Sequence, residues 1–183
     1  MSKDALLDLH PIICSLQSNK MNIRVLQFDD WASWKELRKE SILLCPEAFA
    51  SSFEEECNLS DRQFQDWITR NVIFGAFIDD HLIGTAGFFQ MELAKEKHRG
   101  VLFSVYVTPN KRHQGIAYQL VEHVIQEAKK RVIQLHLKVV SSNTSAVNLY
   151  QRHGFEVYGT ELRSLKYQDR FFNEYLMVLR FDA

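Results

Sequence analysis

Lys111-Arg112-His113-Gln114-Gly115-Ile116-Ala117 gathers two cations, an imidazole, and a glycine and an alanine that leave the backbone open to close approach. It follows Val105-Tyr106-Val107-Thr108-Pro109-Asn110 and leads into a run with apolar positions at Ile116, Leu120, Val121, Val124, Ile125 and Ala128. An apolar segment from Val101 to Val107, a turn at Pro109-Asn110 and this periodic run predict a strand, a tight loop and a helix. N–H groups of a first helical turn lack intrahelical acceptors and sit at the positive end of the helix dipole. A loop of this kind therefore favours an anion, and a pyrophosphate fits.

Two other phosphate loops fail on spacing. A P-loop needs a Gly-Lys-Ser/Thr ending and a dinucleotide loop needs three glycines, and neither is present. His113, His136 and His153 share no ligand-like spacing with cysteine or carboxylate, so no metal is expected. The 183 residues suit one domain with one core, and 46% hydrophobic content is that of a globular chain. With 22 basic and 23 acidic residues, a net charge of -1 offers no excess of cations to nucleic acid or an anionic membrane. Cys14, Cys45 and Cys57 lack paired short spacings and read as free thiols of a reducing, cytoplasmic compartment. No run reaches membrane-spanning length, and the N-terminal apolar residues, broken by Asp4, Asp8, His10 and Pro11, do not make a signal peptide.

Residues 1–20 share no period with the rest of the chain and are read as an N-terminal extension, the domain proper being 21–183. Ile23 and Val25 alternate as a first strand. Asp29 or Asp30 caps a helix carrying Trp31, Trp34, Leu37 and Leu44, which Pro46 ends near Cys45. Glu47 to Glu56 reads as a loop with an acidic end, either solvated or facing substrate. Ser60 and Gln63 form a capping box ahead of Phe64, Trp67 and Ile68. Val72 to Ile78 and Leu82 to Met91 form a hairpin about Asp79-Asp80-His81, with Gly84 and Gly87 marking close approach or a bulge. Gln134 to Val140 alternates as a strand, Asn143 stands at a helix N-cap and Gly154 at its C′ position, and Phe155 to Gly159 and Tyr175 to Phe181 are the last strands. The order is β-α-α-β-β-β-α-β-α-β-β, one mixed α/β domain.

Arg112-x-x-Gly115-x-Ala117 resembles the acyl-CoA loop of the GNAT superfamily of N-acyltransferases, whose signature is Gln/Arg-x-x-Gly-x-Gly/Ala. Further on, Asn143-x-x-Ala146-x-x-Leu149-Tyr150-x-x-x-Gly154-Phe155 is similar to the pattern after the family's fifth core strand, and Asn173-Glu174-Tyr175-Leu176-Met177 to its last strand. The resemblance covers about residues 22 to 181 and leaves out the extension.

It implies a mixed, mostly antiparallel sheet of about seven strands with helices on both faces, splayed between the fourth and fifth strands to admit acyl-CoA. Backbone groups of Val105 and Val107 would bond the pantetheine. The N–H groups of His113, Gln114, Gly115, Ile116 and Ala117 would meet the pyrophosphate, with charge from Arg112 and Lys111, and Asn143 would complete the cofactor site. The implied activity is direct transfer of an acetyl group from the cosubstrate acetyl-CoA to a primary amine of a small molecule or protein. Tyr150 matches the tyrosine that protonates the departing thiolate, a general-acid role for a hydroxyl of reference pKa about 10, although its ring can equally serve as core. Asn143 can equally be a cap alone. Many relatives carry a glutamate on the fourth strand, where this chain reads Val101-Leu102-Phe103-Ser104-Val105. Glu92, His98 or one of Glu54, Glu55 and Glu56 through water are the substitutes. The missing carboxylate keeps a rival reading alive, a non-catalytic acyl-CoA-binding module. It also leans toward an acceptor amine of low pKa, because an α-amine near 8 needs less help than a lysine near 10.4. Acceptor identity, acyl length and homodimerisation, common among relatives, stay open.

Overall fold

The computed structural model describes residues 21–181; the expected extension at 1–20, with Cys14, lies outside the described residues. The strands are β1 (Asn22–Val25), β2 (Val72–Ile78), β3 (His81–Gln90), β4 (Arg99–Val107), β5 (Gln134–Val140), β6 (Glu156–Tyr167) and β7 (Arg170–Arg180). They form one seven-stranded sheet in the order β1-β2-β3-β4-β5-β7-β6, antiparallel except where β4 meets β5. The helices are α1 (Trp31–Leu44), α2 (Phe53–Cys57), α3 (Asp61–Arg70), α4 (Ile116–Ala128) and α5 (Thr144–Arg152).

Local chemistry explains most of these boundaries. Asp79 and Asp80 both take positive φ, 48° and 62°, the left-handed pair that a two-residue hairpin needs between β2 and β3. α1 stops before Pro46, which starts a 3-10 turn over Pro46–Ala48. Asp30 stands at the N-cap of α1 but spends its carboxylate elsewhere, accepting from Arg24 at 2.6 and 2.9 Å and from the Gln27 N–H at 2.7 Å. Gln63 reaches back to the Ser60 N–H at 2.9 Å, as the capping box requires.

Two expectations are corrected. Ser52 and Glu55 form a second capping box that starts α2, a helix too short to leave an apolar period within the expected loop. The final hairpin is far longer than Phe155–Gly159 and Tyr175–Phe181, and the span between them, including most of Arg163 to Phe172, is strand. Register shifts between Val157 and Gly159 and between Glu161 and Leu165, the second containing Arg163 at φ 53°, break the two-residue alternation by which a strand is recognised.

The sheet has two unequal cores. On one face α4 and α5 bury a large apolar cluster that includes Leu120, Val121, Val124, Leu135, Leu137, Val147, Tyr150 and Met177. On the other, α1 and α3 bury a smaller cluster of Leu26, Trp34, Phe64, Ile68, Ile73 and Phe77. Among the described residues no helix is long and apolar enough to cross a membrane. Cys45 and Cys57 are free thiols.

Candidate active site

The seam between β4 and β5 decides where ligands can enter. Parallel pairing holds for Arg99–Gln134, Gly100–Leu135 and Val101–His136, and then stops. Beyond it Leu102, Phe103, Tyr106 and Val107 stay paired with β3, and Leu137 to Val140 are paired only with β7. The sheet therefore opens into a V whose walls are the last residues of β4 and β5.

A bulge shapes the β4 wall. Ser104 has φ 54°, and the register against β3 shifts between Thr85 and Gly87, so an extra β4 residue is accommodated there. The Ser104 carbonyl, out of the ladder, accepts from the Thr85 hydroxyl at 3.1 Å. After the bulge the Thr108 N–H donates to Ile83 at 2.9 Å. Antiparallel alternation then turns the N–H and C=O of Val107 away from β3 and toward the V. Val105 packs its side chain on the larger core.

The loop beyond β4 presents N–H groups at the same end. Lys111 and Arg112 close a 3-10 turn onto Thr108 and Pro109, and the first bond of α4 runs from the Gln119 N–H to the Gly115 carbonyl at 3.1 Å. Among the described residues, the N–H groups of His113, Gln114, Gly115, Ile116 and Ala117 have no backbone acceptor. His113 and Gly115 take left-handed φ values of 61° and 76°, an alternation that curves successive N–H groups about a concavity suited to an anion. A Cβ built on Gly115 would meet nothing within 4 Å, so this backbone lies open. Left-handed geometry and open space together account for the glycine. The residues present thus fit a pyrophosphate.

The Arg112 side chain reaches back toward the end of β4. Its Nε donates to the Val107 carbonyl at 2.9 Å, its guanidinium lies 5.4 Å from the centre of the Tyr106 ring, and Nη2 reaches Cys45 Sγ at 3.6 Å. These contacts draw its charge back onto the end of β4. They also occupy the Val107 carbonyl and leave its N–H for the V.

Asn143 caps α5, its Oδ1 accepting from the Ala146 N–H at 3.2 Å. Tyr150 belongs to the same core as Val107 and Ile116, is 7% exposed and packs edge-on against Phe155. Burial pushes its hydroxyl pKa well up, so it stays protonated at neutral pH.

The expected bases are not gathered at the opening. Glu92 and His98 lie in the connection before β4, at the paired end of the seam; the His98 carbonyl accepts from Ile133 at 3.0 Å. The five-residue advance from Arg99 to Ser104 amounts to about 17 Å. Glu55 is tied to the Ser52 N–H at 2.7 Å, and Glu54 is exposed. Glu56 is 1% exposed and accepts from Arg38, 9% exposed, at 2.9 and 3.1 Å.

Sequence reading missed three polar contacts on the α1 side. Arg38 Nη1 reaches Ser104 Oγ at 3.5 Å, joining the buried pair to the bulge, and Phe49 lies under its guanidinium. The Tyr106 hydroxyl donates to Glu40 at 2.8 Å. Glu174 on β7, 8% exposed, accepts from the Ser164 hydroxyl at 2.5 Å. The signal was there: Trp34, Leu37, Arg38 and Ser41 share one helical face, and Glu174 alternates with Leu176 and Val178.

A split parallel seam facing a helix that opens on bare N–H groups defines an acyltransferase architecture, and the comparisons agree. The model for the acetyltransferase (GNAT) family matches residues 33–155, and the chain belongs to that family. It is 44% identical over 55 residues to the [Ribosomal protein bS18]-alanine N-acetyltransferase of Escherichia coli K12, 30% of this chain and 37% of that one. It is 30% identical over 107 residues to an Escherichia coli streptothricin acetyltransferase, 57% of this chain and 58% of that one. The matched span is thus less than two thirds of either relative. The fold is shared with a Streptococcus pneumoniae GNAT acetyltransferase (TM-score 0.78, 22% identity, 88% of this chain and 99% of that one). It is shared also with a Salmonella typhimurium protein whose structure contains acetyl-CoA (TM-score 0.80, 19% identity, 90% and 95%).

Proposed function

We propose that this acetyltransferase uses acetyl-CoA and delivers the acetyl group to a primary amine of a protein or small molecule. The observation that carries the reading is the opening of the β4–β5 seam after Val101, with the Val107 N–H turned into it and the bare N–H groups of His113 to Ala117 at its mouth. Acetyl-CoA supplies an activated thioester. Every other requirement falls on this chain.

The loop N–H groups hold the diphosphate, and the Val107 N–H polarises the thioester carbonyl, where its dipole gains strength away from water. Unpaired backbone along the V bonds the pantetheine amides and would be costly left dry. Asn143, with its Oδ1 committed to the cap, offers its amide N–H to the same ligand. Tyr150 keeps its proton at neutral pH and gives it to the leaving sulfur. The two relatives act on a ribosomal-protein alanine and on streptothricin, so both a protein amine and a small-molecule amine are represented near this chain.

The absence of a carboxylate among Val101 to Val105 favours the second reading, a module that binds acyl-CoA without turnover. Release of CoA thiol, measured across primary amines and peptides with free N-terminal alanine, decides between them. Turnover with any acceptor supports the transferase. Tight acetyl-CoA binding in calorimetry with no thiol release supports the module.

A further inference from the structure

We propose that Glu174 is the group that receives the acceptor amine and takes its proton, an inference that rests on the transferase reading above. Continued at the register of its paired end, the β4–β5 seam would set the Ser104–Val105 bulge level with Val139 and Val140 across the V. Glu174 is the β7 partner of Val140, one strand beyond that wall. Tyr175, Met177 and Leu179 pack into the α4–α5 core, so alternation along β7 sends the Glu174 side chain to the opposite face, the α1 side. Tyr150 belongs to the α4–α5 core. The opening therefore has a proton donor on one face and a carboxylate on the other, as a transfer needs when the amine arrives from one side and the thiol departs from the other.

Glu174 is also an unusual carboxylate for a structural role. Its hydrogen bond comes from the Ser164 hydroxyl, and no cation pairs with it among the described residues. The nearby Lys138 feels the charge of Glu174 but spends its hydrogen bond on Glu161 at 2.7 Å. A largely buried carboxylate whose one hydrogen bond comes from a neutral hydroxyl has acceptor capacity to spare, and an arriving ammonium would fill it. By contrast, Glu56 already has Arg38 and Glu40 already has Tyr106.

The protons balance. The acceptor docks as an ammonium against Glu174 and loses one proton to solvent, exposing its lone pair. As the C–N bond forms and nitrogen becomes cationic, its N–H turns acidic enough for a carboxylate to take the second proton. The C–S bond breaks and sulfur takes the Tyr150 proton. Glu174 then returns its proton to Tyr150 through solvent, so one proton is released per acetyl group moved.

The test compares wild type, Glu174→Gln, Glu174→Asp and Ser164→Ala on primary amines whose conjugate acids span pKa of about 8 to 10.4. For Glu174→Gln we expect kcat/KM for the acceptor to fall by on the order of a hundredfold. The deficit should widen as the amine becomes more basic, with acetyl-CoA affinity by calorimetry unchanged. Glu174→Asp should recover part of the rate, and Ser164→Ala should cost much less. A deficit that is absent, uniform across amines and confined to KM, or matched by Ser164→Ala overturns the proposal while leaving the transferase reading intact. Wild type that binds acetyl-CoA but transfers to none of the amines removes both.

Discussion

The two faces of the sheet are built from different materials. Under α4 and α5 the core is large and apolar, with Leu120, Val121, Val124 and Leu135 wholly or nearly wholly buried. Under α1 to α3 a smaller aromatic core shares its space with Arg38, Glu56 and Ser41, and β4 meets that face through Ser104 and Tyr106, both bonded to α1 side chains. The apolar face fixes where β4 ends and α4 begins, and so fixes the loop between them. The polar face is the one on which we propose that the amine is oriented and loses its proton.

Gly115→Asp attacks the first of these surfaces, with the largest expected effect on cofactor binding. It forces a non-glycine residue to φ 76° and sets a negative charge where the N–H groups gather. Acetyl-CoA affinity should fall by on the order of a hundredfold, about 2.7 kcal/mol, in calorimetry; unchanged affinity would discredit the loop. On the other face, Glu56→Ala strands Arg38 in the interior and should cost about 3–5 kcal/mol in denaturant unfolding. Leu120→Ala on the apolar face should cost about 2–5 kcal/mol by leaving a cavity. The double change Arg38→Leu with Glu56→Leu separates the two mechanisms. Stability should return to near wild type because apolar groups replace the pair, a recovery that no second change offers Leu120→Ala.

Tyr150→Phe removes only the hydroxyl from the apolar side. It should lower kcat by on the order of a hundredfold with acetyl-CoA affinity unchanged, and equal activity would deny the acid role. The smallest effect is expected at Asp30 on the rim of the polar face. The hydrogen bond from Arg24, aided by the Gln27 N–H against partial burial, holds this carboxyl below the usual range. Its contribution is therefore present above the unfolded value of about 3.9 and lost as pH falls through the lower folded value. Solvent screening keeps it under about 1 kcal/mol. Asp30→Asn should lower the unfolding midpoint at pH 7, and the gap to wild type should narrow on moving to pH 3.

The same contrast between faces governs which parts of the molecule could be read from the amino-acid order. The α4–α5 side was legible because it obeys simple periods: Ile116 to Ala128 repeats as a helix, Leu135, Leu137 and Val139 alternate, and Gly115 and Gly154 do take positive φ. The polar side was not. Arg38 sits at an apolar register and its partner Glu56 comes from another helix, a pairing that depends on how α1 and α2 dock. Ser104 took a left-handed conformation that no glycine announced, and the bulge it makes is visible only against β3. Arg112 matched a motif position, yet Tyr106 and the Val107 carbonyl, both brought close by the turn at Pro109, claimed its side chain.

The seam at Arg99 to Val101 joins the two halves of the sheet through three residue pairs. Most of the mechanical coupling between β1–β4 and β5–β7 must therefore pass through α4, α5 and whatever fills the cleft. A ligand lying there, as proposed above, would complete the ladder and act as a splint across an otherwise thin joint. Each turnover would then briefly stiffen the whole domain, and product departure would return it to a looser pair of leaves.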